Sequence, residues 1–219
     1  MKKRAVTKLF ILLLITVSLL PSLISCNRRY DEEEVLTSAK ELLTVAEVLN
    51  EIYYGRGIQY VTTGNIDGYY YEADPMHLKY LGFYTVEELK NKTLETFTRG
   101  YANQIFATKL SAIEDETGIQ QMIRYYQKYD GENLLTPVCI MVYSKAPVSL
   151  KDEIIYDYSS LRVAGVSGQT VSVEVDATVT SGEKIQTVTI KIDLIEEDNG
   201  WRIDNPCYAN YNDNLDKNN

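Results

Sequence analysis

The sequence predicts an α+β domain in which N-terminal helices pack on one face of a curved, mostly antiparallel sheet. Two observations support this prediction. Apolar residues recur every three or four positions through residues 33–54, which is typical of an amphipathic helix. From Gly118 onward the apolar residues alternate with polar ones, which is typical of half-buried strands. Helices followed by a run of strands favour a layer of helices on a sheet.

The first half of the chain contains three predicted helices. The long first helix ends at "GRG", residues 55–57, because glycine readily adopts the left-handed conformation that closes a helix. Thr85 and Glu88 form a capping box, which predicts a helix over 86–97. The spacing of apolar residues predicts another helix over 99–110. Between these helices, "QYVTTGNIDGYYYEAD" predicts a hairpin or an extended loop, because "NIDG" is a turn signal.

The second half contains five long predicted strands. In "VSVEVDATV" the valines alternate with polar residues, and "TVTIKIDLI" repeats the pattern. The sequence "TSGEK" at 180–184 is a suitable hairpin loop between them. A further turn in "EEDNGWRID" leads to a short strand that carries Trp201. The long strands are predicted near 119–128, 136–143, 153–164, 170–180 and 184–196.

The N-terminus combines a basic segment, an apolar segment and a cysteine. The apolar run at 9–20 has about 12 residues, whereas a helix that spans a bilayer needs about 20, so the run fits a secretory signal. Leu23-Ile24-Ser25-Cys26 resembles a bacterial lipobox, in which a signal peptidase cuts before the cysteine and the thiol receives a diacylglyceryl group. The resemblance implies lipid attachment at Cys26 and anchoring at the outer face of a membrane. The alternative is an ordinary signal peptide with a cysteine nearby.

These features predict four regions along the chain. They are a lipoprotein signal peptide at 1–25, a polar tether at 26–34, a single α+β domain at 35–208 and a disordered tail at 209–219.

The predicted mature chain is strongly acidic. Residues 1–25 contain four of the 22 basic residues and none of the 31 acidic ones, so a chain that starts at Cys26 has a formal charge of −13. This charge repels a phosphate backbone and argues against nucleic acid as a partner. A basic protein, or the cationic part of a ligand, is a more suitable partner. Alternatively, the carboxylates serve only to keep the domain soluble.

The order of helices and strands resembles two known groups of proteins. With its terminal "NGWRID", it is similar to the cone-shaped fold of the nuclear-transport-factor-2-like superfamily. Four segments across about residues 40–208 resemble the DL-endopeptidase inhibitor family of Gram-positive bacteria, namely "ELLTVAEVLNEIYYGRG", "GYYYEAD", "FYTVEELKNKTLETFTRGYANQIF" and "GWRIDNPCY". The resemblance implies an exported protein that blocks a cell-wall hydrolase by occupying its active-site groove, without catalysing a reaction. The segment "QKYDGENLLTPVCIMVYSKAPV" departs from the family pattern.

Few residues are candidates for catalysis. His77 is the only histidine in the chain, which excludes metal sites built from several histidines, and its position after "DPM" predicts an exposed loop residue. Asp157 and Asp176 have apolar neighbours and could face a cavity as acid–base groups, although the solvent face of a strand is the expected position of both. The sequence predicts no metal site and no cofactor.

Cys139 lies in an apolar run and Cys207 lies near the C-terminus. Outside the cell these two cysteines could form a disulfide, or they could be separate buried thiols, because spacing along the chain does not report distance in space.

Three consecutive tyrosines, Tyr69, Tyr70 and Tyr71, are the predicted partner-binding residues. On a strand, successive side chains point to opposite faces, so Tyr70, or Tyr69 together with Tyr71, is exposed unless another element covers it. Tyrosine is enriched at the centres of protein interfaces. The alternative is that these rings cover the rim of the sheet.

The sequence thus predicts a non-catalytic, membrane-anchored extracytoplasmic lipoprotein that binds a cell-envelope partner. The more specific prediction is inhibition of a cell-wall DL-endopeptidase. The alternative is a cone-fold protein that binds a small ligand, or acts on one, in an internal cavity.

Overall fold

The computed structural model describes most of the predicted domain. The predicted signal peptide at 1–25 and Cys26 lie outside the described residues, as do the predicted tail and the "NIDG" turn. The described residues are 30–62, 69–111, 113–114, 120–121, 123–129, 137–146, 148, 153–198, 200–205 and 207.

Four helices lie within this part of the chain. They are α1 (Glu32–Tyr53), α2 (Pro75–Leu81), α3 (Val86–Thr96) and α4 (Arg99–Lys109). Three of them were predicted, whereas α2 was not. The predicted capping box is present at the start of α3, where the Thr85 hydroxyl accepts a hydrogen bond from the Glu88 amide and the Glu88 carboxylate accepts one from the Thr85 amide, each at 3.1 Å.

The described strands form three antiparallel sheets. The strands are β1 (Tyr70–Glu72), β2 (Ile113–Glu114), β3 (Gln120–Gln121), β4 (Tyr125–Tyr129), β5 (Pro137–Tyr143), β6 (Glu153–Ser167), β7 (Thr170–Ser181), β8 (Lys184–Glu197) and β9 (Gly200–Ile203). A four-stranded meander contains β6, β7, β8 and β9 in that order, a second sheet has the order β1, β5, β4, and β2 pairs with β3. The α+β class with antiparallel sheets is therefore confirmed.

The alternation of apolar and polar residues in the sequence correctly predicts which side chains form the core of the meander. The inner face of β7 and β8 is buried because each second residue is aliphatic, while the intervening residues face outward. The predicted hairpin between these strands turns at Gly182, whose φ of 60° lies in the left-handed region. The buried positions are Val171, Val173, Val175, Ala177, Val179, Val188, Ile190, Ile192 and Leu194.

Helix α1 buries one apolar stripe with the predicted spacing and contacts the meander at β6. The Lys40 ammonium lies 5.8 Å from the centre of the Tyr158 ring on β6. Beyond the meander, the Asn50 amide donates a hydrogen bond to the Cys207 sulfur at 3.4 Å. The stripe consists of Val35, Ala39, Leu43, Ala46, Leu49, Ile52 and Tyr53.

Candidate functional site

A surface groove of about 770 Å³ lies between the second half of α1, residues 55–60 and α2. We name it the α1–α2 groove. Aliphatic side chains of Ile52, Ile58 and Leu81 line it together with the rings of Tyr60 and Tyr80. Its volume is within the range of about 300–1,000 Å³ that ligand sites occupy.

Helix α2 forms one wall of the groove because of local signals at both of its ends. The Asp74 carboxylate caps the first turn by accepting a hydrogen bond from the Met76 amide at 2.9 Å, and Pro75 occupies the first helical position. Gly82 ends the helix with a φ of 76°. The sequence signals Asp-Pro at 74–75 and Gly at 82 could have predicted this helix, which was interpreted as a loop.

The other side of the groove is attached to β4 through one buried tyrosine. The Tyr125 hydroxyl donates to the Ile52 carbonyl at 2.6 Å and accepts from the Ile58 amide at 3.1 Å and from the Arg124 Nε at 3.0 Å. The Arg124 guanidinium also donates to the Gly55 carbonyl at 2.5 Å. We name these contacts the Tyr125 network. It orients the carbonyls at the end of α1, which have no partner within the helix, and holds the chain that follows.

His77 lies on α2 rather than in the predicted loop, and it is partly buried. Its Nδ1 accepts a hydrogen bond from the Gln59 amide at 2.9 Å. A nitrogen that accepts a hydrogen bond carries no proton in this arrangement, which leaves Nε2–H as the donor of the ring. The ring is nearly parallel to that of Tyr80, at 9° and 6.4 Å between centres. His77 therefore contributes one hydrogen-bond donor, Nε2–H, to the groove lining.

The groove is also lined by two carboxylates on α1, Glu47 and Glu51, which are one helical turn apart. Burial raises the pKa of the Glu47 carboxyl, and the nearby Tyr158 hydroxyl opposes this shift. Glu51 accepts a hydrogen bond from the Arg56 amide at 2.9 Å and lies 3.6 Å from the Arg56 Nε. Because the Arg56 side chain is 93% exposed, this ion pair contributes little to stability and can open easily.

Exposed apolar and aromatic side chains lie on α2 and shortly after its end. Met76 is 72% exposed, Tyr80 is 84% exposed and Tyr84 is 53% exposed. Met76 and Tyr80 are four residues apart on α2 and therefore lie on the same face of the helix, and clustered exposed apolar side chains mark interaction sites more often than single ones do. These residues were not predicted as an exposed surface, because α2 itself was not predicted.

The three tyrosines predicted to bind a partner have different environments. Tyr70 is buried, its hydroxyl donates to the Ile123 carbonyl at 2.9 Å, and its ring packs against Tyr126 and Tyr143. Tyr70 is therefore a core residue and is removed from the candidate surface. Tyr69, which directly precedes β1, and Tyr71 are both less buried than Tyr70. Tyr69 is 41% exposed below the Lys145 ammonium, and Tyr71 stacks on Tyr60 with 4.9 Å between ring centres.

The two candidate acid–base residues lie on the outer face of the meander, which was their expected position. Asp157 is exposed and accepts hydrogen bonds from the Ser159 amide and hydroxyl, which lower its pKa. Asp176 accepts a hydrogen bond from the Thr189 hydroxyl at 2.7 Å and lies 3.7 Å from Arg162. Neither residue lines the α1–α2 groove.

Within the described part of the chain, histidine, cysteine, aspartate and glutamate form no group of three or more that could bind a metal ion. The helices of that part also include none whose length and apolar character would let it span a bilayer.

Cys139 and Cys207, for which the sequence left a disulfide open, are both free thiols in the structure. Cys139 lies in β5, with its sulfur 3.7 Å from the Met141 sulfur. Cys207 is buried beside Asn50, and burial raises the pKa of its thiol to about 11.

We expect iodoacetamide at pH 8 to alkylate Cys139 slowly in the folded protein and Cys207 only after unfolding. The thiolate is the reactive form, and burial raises the pKa of both thiols, so both are largely protonated at this pH. Cys139 is also partly accessible, whereas Cys207 is not. Mass spectrometry of native and urea-unfolded samples measures both rates. Equal rates in the folded protein, or a cross-linked peptide pair without reductant, would contradict this assignment.

No family model matches the chain, and no curated protein matches it. The candidate function is therefore based on the residues of the groove and on the sequence patterns described above.

Proposed function

We propose that the protein is a lipoprotein held at the outer face of the cell membrane through Cys26, and that its domain binds a cell-envelope partner in the α1–α2 groove. The observation that carries the binding proposal is the groove itself, with the exposed ring of Tyr80 beside aliphatic lining residues. Large exposed apolar side chains around a concave surface are typical of sites that a partner covers.

The membrane anchor is supported by the order of features at the N-terminus. A basic segment, a short apolar run and Leu-Ile-Ser-Cys precede an acidic domain. One acyl chain binds a membrane only marginally, so the two or more chains of a bacterial lipoprotein provide the stable attachment.

We expect Cys26→Ser to abolish incorporation of radiolabelled palmitate and to move the protein out of the membrane fraction. Cys139→Ser is the matched control, because it also removes one thiol and should leave labelling and fractionation unchanged. Palmitate incorporation by gel autoradiography, together with fractionation, measures both effects. Equal labelling of the wild type and Cys26→Ser would contradict the anchor.

The more specific proposal is that the partner is a cell-wall DL-endopeptidase and that binding inhibits it without catalysis. The acidic charge of −13 in the mature chain and the exposed tyrosines support a protein partner. The proposed cone-like shape is supported by two register irregularities in β6, because β-bulges bend a strand.

Affinity capture tests this proposal directly. The anchored protein should retain a peptidase from its own envelope extract, and the purified protein should slow the digestion of peptidoglycan by that peptidase. Capture of a different envelope protein would keep the binding proposal and remove the inhibitor proposal. Capture of no protein, with digestion unchanged, would remove both.

A second candidate function is binding of a small ligand, which the volume of the groove and the His77 Nε2–H donor favour. If this is the function, a small ligand should copurify with the protein and be detected by denaturing mass spectrometry, and the absence of any copurified ligand would contradict this candidate.

A further inference from the structure

The charged groups of the α1–α2 groove are unbalanced in favour of negative charge. Glu47 and Glu51 contribute two carboxylates, whereas Arg56 is the only lysine or arginine among the described lining residues. Arg56 contacts one oxygen of Glu51 and is otherwise surrounded by solvent. An incoming cation can therefore displace it at small cost, because exposed ion pairs are weak.

Aromatic rings provide a second attraction for a cation. Tyr60 and Tyr80 line the groove and are 37% and 84% exposed. The face of a tyrosine ring attracts an ammonium or guanidinium group. The domain contains this contact elsewhere, since the Lys109 ammonium lies 4.7 Å from the centre of the Tyr54 ring.

The floor of the groove suits the stem of a long basic side chain. Val48, which is 36% exposed, presents aliphatic surface beside the carboxylates and the rings, and the buried side chains of Ile58 and Leu81 complete the apolar lining. Lysine and arginine bury their methylene groups on such surface while the charged end remains near water or a counter-charge. The Nε2–H group of His77 adds a donor suited to a peptide carbonyl.

We infer that the α1–α2 groove binds a lysine or arginine side chain of a partner polypeptide, with the stem on the aliphatic floor and the charged end between the α1 carboxylates and the tyrosine rings. This inference rests on the proposed function and specifies the chemistry of the partner. The net negative charge of the domain also favours a basic partner, because it accelerates the approach of a positively charged segment.

The single histidine of the chain allows a direct test. The imidazole of His77 gives the only histidine signals in an NMR spectrum of the full chain, purified from membranes in detergent. Three probes are titrated at constant pH, namely acetyl-Leu-Lys-Leu-amide and its counterparts with norleucine or glutamate in the middle. We expect a saturable shift of the His77 signals with the lysine peptide, and at least about tenfold weaker binding of the other two.

Substitutions in α1 test the role of the carboxylates. The pair Glu47→Gln and Glu51→Gln should weaken binding of the lysine peptide about tenfold and abolish the preference for lysine over norleucine. Glu41→Gln is the matched control on the same helix, because Glu41 lines a separate groove of about 320 Å³. It should leave binding unchanged. Circular dichroism verifies that each variant is folded.

The results distinguish failure of this inference from failure of the proposed function. Equal shifts with all three peptides, or an unchanged preference in the double variant, overturn the inference while partner capture still supports the proposed function. A missing shift with every peptide also overturns the inference. If capture of the envelope partner fails while the lysine peptide binds as expected, the inference holds and the identity of the partner is what fails.

Discussion

Replacing Tyr125 by phenylalanine is expected to lower the free energy of unfolding by about 2–4 kcal/mol. The hydroxyl makes three hydrogen bonds inside the protein, to the Ile52 carbonyl, the Ile58 amide and the Arg124 Nε. Phenylalanine keeps the ring and leaves these three groups without that partner. Each buried polar group that loses its partner costs about 1–3 kcal/mol, and partial rearrangement reduces the sum.

Urea unfolding of the mature chain, followed by circular dichroism, measures this loss. Tyr129→Phe is the matched control in the same strand, because Tyr129 is 47% exposed and its substitution should change stability by no more than about 0.5 kcal/mol. If the two variants are equally stable, the Tyr125 network does not hold the end of α1. If only Tyr125→Phe loses stability, we also expect the NMR signal of the His77 imidazole to change, because the Tyr125 network positions Ile58 in the groove.

The regular elements could be predicted because their information is local. The alternation in β7 and β8 and the capping box at Thr85 each involve residues close in sequence, and the structure contains them as expected. Helix α2 was missed because its seven residues are too few for an apolar period to be recognised. Only its end signals identify it, and a proline after an aspartate is also common in turns.

The candidate site could not be predicted because distant parts of the chain build it. The Tyr125 network joins α1 to β4 across more than 60 residues, and no pattern within either segment indicates that pairing. The same limit applies to the tyrosine run. Alternation allowed two sets of exposed rings, and pairing of Tyr70 with Tyr143 on β5 decides which ring is buried.

Replacing Tyr80 by alanine is expected to weaken capture of the envelope partner about 30-fold, which corresponds to about 2 kcal/mol. Tyr80 is the most exposed aromatic residue of the groove lining, and its ring lies beside His77. A rigid aromatic ring at the centre of a contact supplies a large share of the binding energy. Because the side chain is 84% exposed, its removal should leave the stability of the domain almost unchanged.

Titration of immobilised partner with the wild type, Tyr80→Ala and Tyr129→Ala measures this effect. Tyr129 is also an exposed tyrosine but lies on β4 outside the groove lining, so its alanine variant should bind like the wild type. Equal weakening by both variants would indicate a general contribution of surface aromatics, and no weakening by Tyr80→Ala would place the contact elsewhere. Tyr80→Phe separates the contribution of the ring face from that of the hydroxyl. It should retain most of the affinity, because a cation and an aliphatic stem contact the face of the ring and not its hydroxyl.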